Sequence, residues 1–203
     1  MKKTALVLSL FTGLILNLPA FAADPPTTAA TTNPAEANKA EWMKLTQPTE
    51  NHKALGDIVG KWNFNMKWWQ TPEAKPQESK GTASNKWIFG GRFVQQDAKS
   101  KMGGQKFEGV GYTGYDNVKG EYQSVWMDNM STGMMISNGS RDTASNTLTE
   151  SGTFACPMTG DKAKWFRNEL KIVDKNEHVF AMFAKTADGK EYKTMEITYK
   201  RAN

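Results

Sequence analysis

The sequence predicts an all-β protein, an up-and-down antiparallel β-barrel of about ten strands with one short N-terminal helix. Three observations predict it. Apolar and polar residues alternate after Gly60, most plainly in GKWNFNMKW, where Trp62, Phe64, Met66 and Trp68 take every second position. Turn signals then recur at near-regular intervals: Thr71-Pro72, Gly90-Gly91, Gly103-Gly104, Asp116-Asn117, Asn129 to Gly133, Asp142 to Asn146, Pro157 to Gly160, Asp174 to Asn176 and Asp188-Gly189. Helical periodicity does not return after Gly60. Short connections make neighbouring strands antiparallel, and rolling the sheet shut removes its two exposed edges. A β-sandwich is the rival arrangement.

The elements follow in chain order. Lys2 and Lys3 precede an apolar run from Ala5 to Leu18, and Pro19 leads into Ala20-Phe21-Ala22, a small-x-small cleavage pattern. Residues 1–22 therefore read as a secretory signal peptide. The run is shorter than the ~20 residues that span a bilayer. No cysteine follows it to carry a lipid. The expectation is a soluble protein, periplasmic or secreted, that starts near Ala23. Residues 23–46 are dominated by Pro, Thr, Ala and Asn at their start and read as a disordered tether. The barrel domain is assigned to 47–203. In PTENHKALGDIV, Pro48 and Glu50 mark a helix start, and Leu55, Ile58 and Val59 share one face. That helix is short, with an upstream extension through Trp42 and Leu45 as the alternative, and Gly60 ends it.

Parity assigns faces to the strands. From Ser79 to Phe89 the odd positions, Gly81, Ala83, Asn85, Trp87 and Phe89, face inward, while Lys80, Thr82, Ser84 and Lys86 face water. In the last strand Met195, Ile197, Tyr199 and Arg201 share a face. From Glu121 to Asp128 neither face is fully apolar, so the orientation stays open. Gly109, Gly111 and Gly114 precede no helix, which excludes a phosphate-binding loop and fits bends in a strand.

Charge and cysteine content exclude further classes. Lys2 and Lys3 account for two of the five excess positive charges, leaving +3 after export. No basic block stands out, so nucleic acid is not an expected partner. Cys156 is the single cysteine. It is either a buried free thiol or the site of a disulfide-linked dimer.

Two resemblances add to this reading. Gly60-Lys61-Trp62 after a short helix, with TYKR at the end of the last strand, resembles the signature of lipocalin-like (calycin) barrels, the fold type of the lipocalins and fatty-acid-binding proteins. That resemblance implies a structural plug made by Gly60, Trp62 and Arg201, with the guanidinium over the indole, favourable by roughly 1–2 kcal/mol. The runs HKALGDIVGKW, GTASNKWIFGGRFVQ, FEGVGYTGYD, WMDNMSTGMM, PMTG and KTMEITYKR, taken in order, resemble a widespread bacterial family known as domain of unknown function 1579. The likeness covers roughly His52 to Arg201 and implies a calycin-like barrel without an established activity.

The functional expectation is non-enzymatic binding of a small, largely apolar molecule in the barrel interior. Phe64, Met66, Trp68, Trp87, Phe89, Tyr122 and Trp126 are the candidate lining, with Asp128, Asn129, Ser131 and Met134 at the mouth. For Asp128 and Ser131 the competing reading is a tight turn closed by local backbone bonds. No catalytic motif is present, and G-x-S-x-G is absent. An enzyme alternative would use Asp128 as acid or base, with Glu150 meeting it across the barrel. A third alternative is an envelope interaction protein with a filled interior. No cofactor or metal is expected. Met127, Met130, Met134 and Met135 offer thioethers suited to Cu(I), and His52 or His178 would have to serve a haem barrel of the nitrobindin type, but neither group has the rest of a ligand set.

Overall fold

Ten antiparallel strands close into one barrel in the computed structural model, which describes residues 34–203. The signal-peptide assignment to 1–22 and the first part of the assigned tether lie outside the described residues. The segment Pro34–Leu45, also inside the assigned tether, forms helix α1. Its Ala, Glu and Lys residues favour a helix, and Pro34 suits the first helical position. Burial does not hold it in place, since Trp42 and Met43 are exposed.

A second, four-residue helix, α2 (Glu50–Lys53), runs into a 3₁₀ turn over Ala54–Ile58. Thr49 caps α2, and His52 Nδ1 accepts the Thr49 backbone N–H at 3.0 Å, the role Glu or Gln plays in a capping box. Leu55 and Ile58 point away from water.

The strands are β1 (Gly60–Trp68), β2 (Gln77–Ile88), β3 (Phe93–Met102), β4 (Gln105–Asp116), β5 (Glu121–Asp128), β6 (Met135–Asp142), β7 (Thr147–Phe154), β8 (Lys164–Asp174), β9 (Glu177–Lys185) and β10 (Glu191–Arg201). Each pairs with its neighbours in sequence. The barrel closes where β1 meets β10, from Trp62 opposite Arg201 to Trp68 opposite Met195. In β1 the burial alternates with the sequence: Trp62, Phe64 and Met66 are buried between exposed lysines and asparagines.

The register defines two ends. The α2–3₁₀ segment packs at the end where β1 starts, so that end is closed. Leu55 and Ile58 cluster there with Val94, Tyr122 and Leu148, and with the partly buried Trp87, Tyr115, Leu170 and Ile172. A second cluster, Trp62, Phe64, Met66, Ala83, Ala98 and Tyr199, runs up the wall formed by β1, β2, β3 and β10. The opposite end carries the turns after β1, β3, β5, β7 and β9, and no helix among the described residues covers it.

Candidate functional site: the barrel lumen and its two ends

The closed end is built around Trp62. Its indole N–H donates to Ile58 O at 2.8 Å, and Asn85 Nδ2 donates to the same carbonyl at 2.8 Å. The Arg201 guanidinium lies 4.2 Å from the centre of the Trp62 ring and donates to Val59 O at 2.9 Å and to Lys175 O at 2.7 Å. Gly60 has φ +134° and leaves the space that the guanidinium fills. Under this plug, His178 stacks on Tyr199 with ring centres 4.4 Å apart and meets Trp62 edge-on at 4.3 Å. Burial, and then the Arg201 charge, push the His178 pKa down to about 3, so the ring is neutral. The voids are small here. A crevice of about 10 Å³ remains between the 3₁₀ turn and Leu148, Leu170 and Ile172.

Above the plug lies the lumen. Register places Phe180 opposite Ile197, Met182 opposite Met195 and Leu170 opposite Phe180, all on the inward face that carries His178 and Tyr199. Phe180, Met182, Met195 and Ile197 nevertheless remain partly accessible to solvent. Phe180, Met195 and Ile197 pack against the buried cluster of Trp62, Phe64, Met66 and Tyr199 without being fully covered by it. Small inward residues make room for large ones: Gly81, Gly109, Gly111 and Gly152 each lie beneath an aromatic ring, those of Phe64, Trp126 and Phe166.

The polar part of the lumen is on β5 to β8. Glu150 is 7% exposed, and its carboxylate accepts a hydrogen bond from Ser124 Oγ at 2.9 Å. Ser124 also pairs with Thr113 at 2.9 Å. Ser137, itself buried, hydrogen-bonds to the same carboxyl. Burial pushes the Glu150 pKa up to about 7, against the lowering effect of the two serine hydroxyls. Asn168 sits directly opposite Glu150 in the β7–β8 register, and its side-chain carbonyl is buried without a partner.

The sequence-predicted site residues separate into four groups. Phe64 and Met66 are packed in the wall beneath the lumen. Trp68 and Trp126 face inward towards the end opposite the plug and are partly exposed, with Asp128 and Met134 at its rim. Trp87 and Tyr122 face inward but belong to the plug: Trp87 packs against the 3₁₀ turn beside Gly56, and the Tyr122 hydroxyl donates to Asn51 O at 2.9 Å. Phe89 does not line the interior. It is 74% exposed with φ +48°, because β2 stops at Ile88 and the chain is already turning.

At the rim, Asp128 Oδ2 accepts the Trp126 indole N–H at 2.9 Å and Oδ1 accepts the Met130 backbone N–H at 2.9 Å. Asn129 Oδ1 accepts the Glu108 N–H at 3.0 Å, and its amide donates to Lys106 O at 2.9 Å. Ser131 donates to Gly133 O at 3.4 Å. This is the tight-turn arrangement, with the side-chain oxygens of Asp128 turned to local partners. Asp128 and Glu150 lie on the inward faces of β5 and β7, with β6 between them and at different heights.

The remaining candidates are also placed. His52 is buried, with Nδ1 occupied by Thr49 and the ring donating to the Tyr115 backbone, so neither nitrogen faces the lumen. Cys156 is a free, buried thiol in the β7–β8 turn. Burial raises its pKa, but hydrogen bonds from Thr159 and Met158 and the Lys164 charge outweigh that and leave the thiol below its ordinary range. A groove of about 220 Å³ lies outside the barrel wall, between Leu45–Gln47 and β4. It is bridged by hydrogen bonds from Arg92 to Thr46 O at 2.8 Å and from Asn117 to Leu45 O at 2.9 Å, which tie the N-terminal segment to the barrel.

With this geometry in view, residues 47–201 match the model of the family described as protein of unknown function (DUF1579). The chain belongs to that family. Among solved structures, Rv2717c from M. tuberculosis is similar at a TM-score of 0.57 with 14% identity, over 77% of this chain and 100% of that one. At that identity the likeness concerns the fold, and the DUF1579 barrel shares it. Two redesigned β-barrels, b11L5F_LGL at a TM-score of 0.38 with 14% identity and mFAP0 bound to DFHBI at 0.36 with 13%, cover 74% and 71% of this chain, and 96% and 99% of their own. No curated protein matches the chain.

Glu150 and Asn168 are the pair that the sequence reading did not bring together. Glu150 sits in TLTES, where both neighbours are polar, so neither hydropathy nor charge marks it as buried. The one available signal was parity with Leu148 and Gly152, and it needs the β7–β8 register to add Asn168.

Proposed function

We propose that this chain is an exported binding protein that takes a small, largely apolar molecule into the barrel lumen through the end lined by Trp68, Met102, Trp126 and Met195. The observation that supports the reading is the partial accessibility of Phe180, Met182, Met195 and Ile197, apolar side chains on the inward face that are not fully buried. Desolvating such surfaces favours an apolar guest by about 25 cal/mol per Å² covered. The closed end supports the same direction of entry, since the Trp62–Arg201 plug and the 3₁₀ turn block the other route. The interaction-protein alternative needs a filled interior, with those four residues covered by it, and none of the four is fully buried. The enzyme alternative loses its leading acid–base group, because both Asp128 oxygens are engaged at the rim.

Mass spectrometry of an organic extract of protein purified from its native host tests the binding reading. A reproducible apolar compound is expected, absent from an extract of Met182→Trp, whose added indole occupies the lumen. Identical extracts from both would contradict it. Export rests on the pattern of residues 1–22. N-terminal sequencing of the periplasmic or secreted protein is expected to begin near Ala23, and a cytoplasmic protein beginning at Met1 would refute it.

A further inference from the structure

We propose that the outer face of β1, β2 and β3 is a cationic docking surface that lies against an anionic lipid bilayer. The surface is on the outside of the barrel wall, so it does not depend on what the lumen holds.

Parity builds the face. Lys61 and Lys67 on β1, Lys80 and Lys86 on β2, and Lys99 and Lys101 on β3 all point away from the barrel interior and are exposed. Glu78 and Asp97 are the acids on the same side of these strands, which leaves the face an excess of four positive charges. Of the 26 basic and 21 acidic side chains in the sequence, Lys2, Lys3 and Asp24 fall outside the described residues, which leaves 24 and 20, again an excess of four. The net side-chain charge of the described residues is therefore matched by one face of three strands, and the remainder is balanced. The sequence shows no basic run because the lysines arrive from three strands, two from each.

These lysines are left open to a partner. Among the described residues Lys61, Lys67, Lys80, Lys86 and Lys101 have no carboxylate within salt-bridge distance, and Lys99 reaches only Glu108, at 3.8 Å. Arg167, Lys193 and Lys200, on β8 and β10, each pair with a glutamate instead. The β3–β4 ladder also places Lys101 directly opposite Lys106, and Glu108 answers Lys106 at 2.9 Å but not Lys101. Like charges so placed are unfavourable in the free protein. Between the lysines stand Asn63, Asn65, Thr82 and Ser84, short, exposed and uncharged. Asn65 faces Lys80 across the ladder, and Ser84 faces Lys61. The apolar side chains on this face are Ile88 and Phe93, paired at the closed end. The lysines line neither the crevice nor the groove described above. A strand of sugars or bases would find no stacking platform among them. Headgroups of a bilayer present anions as a two-dimensional array and need neither. Lysines within a Debye length of such a surface, about 8 Å at physiological salt, are each drawn to it. Lys61 and Lys67 stand about 20 Å apart along β1, so the array is extended. Docked by this wall, the barrel lies on its side and both ends stay free.

Flotation of protein purified from its native host with phosphatidylglycerol–phosphatidylcholine vesicles tests the assignment. The parent is expected to float with them in about 0.05 M NaCl, to be released in about 0.5 M NaCl, and to stay behind when the vesicles are phosphatidylcholine alone. Lys67→Gln, Lys80→Gln and Lys101→Gln combined are expected to weaken binding at least about tenfold. Lys162→Gln, Lys171→Gln and Lys175→Gln combined remove the same charge from exposed positions elsewhere and are expected to stay within about twofold of the parent. Both variants share the parent's N-terminus, so the difference between them reads the face alone. Equal losses in the two variants, binding that neither salt nor the first variant reduces, or no binding to the anionic vesicles overturns the proposal. Tighter binding to soluble dextran sulfate than to vesicles of equal anionic charge assigns the face to a linear polyanion and overturns the bilayer.

Discussion

The guanidinium of Arg201 covers the indole of Trp62 at 4.2 Å, and the two residues face each other across the seam where the first and last strands meet. The contact therefore joins the first and last strands at the seam that closes the barrel. Arg201 also donates to backbone carbonyls of Val59 and Lys175, so it ties the 3₁₀ segment to the β8–β9 turn. Arg201→Ala is expected to lower stability by about 2 kcal/mol, from the lost cation–π contact and the unanswered carbonyls. Urea unfolding followed at the tryptophans measures it. Arg201→Lys is expected to recover less than half, because a point charge cannot serve both carbonyls and the ring face.

Trp126 lies flat over Gly109 and Gly111, and a Cβ at Gly109 would fall inside its ring. Gly109→Ala is expected to lift the indole into the lumen and break its bond to Asp128, at a cost of about 1–3 kcal/mol. Near-UV circular dichroism should change while far-UV signal persists, and an apolar probe should bind more weakly. An unchanged near-UV spectrum would mean that the ring has room elsewhere.

Two buried groups give the stability a distinctive pH profile. Glu150 ionises near 4.5 when unfolded and near 7 when folded, so across that window the native state holds the extra proton and stability falls as pH rises. The integrated penalty above pH 7 is at most about 3 kcal/mol. His178 works the other way. It binds a proton near 6.5 when unfolded and only near 3 when folded, so stability is lost as pH falls below 6.5. Between pH 4.5 and 6.5 the two slopes oppose each other. Glu150→Gln removes one of them, and the variant's stability is expected to rise steadily with pH over that interval and to exceed the parent's above pH 7. Denaturant midpoints collected across the range check both features. A Glu150→Gln variant that tracks the parent at every pH would show that the carboxyl is solvated.

Cys156 is 7% exposed in its turn, with its N–H bonded to Asp161 O at 2.8 Å. A disulfide between two chains requires that turn to open. Oxidised protein on a non-reducing gel is expected to migrate as a monomer, and a maleimide should react far faster in denaturant than in buffer. A dimer band that dithiothreitol removes would contradict this.

The sequence shows the strands more readily than the site, and the reasons are geometric. Alternation in GKWNFNMKW needs only neighbours two apart, so β1 reads directly, and Gly-Gly or Asp-Asn pairs mark where strands end. Parity assigns a face but not a height. Trp87 and Tyr122 face inward, as Trp68 and Trp126 do, yet they meet the α2–3₁₀ plug rather than open lumen because of where that segment lands. Phe89 shows the limit of extending parity: the left-handed turn begins one residue before Gly90, and the phenyl ring swings into water. Glu150 and Asn168 are eighteen residues apart and meet only through the β7–β8 register, which no local pattern encodes.

Fluorescence titration with a neutral naphthalene probe, read by energy transfer from the indoles, tests the central claim most directly. The account predicts saturable one-to-one binding with quenching of the tryptophans, abolished in Met182→Trp. Absence of saturable binding, or equal binding to the parent and Met182→Trp, would contradict it.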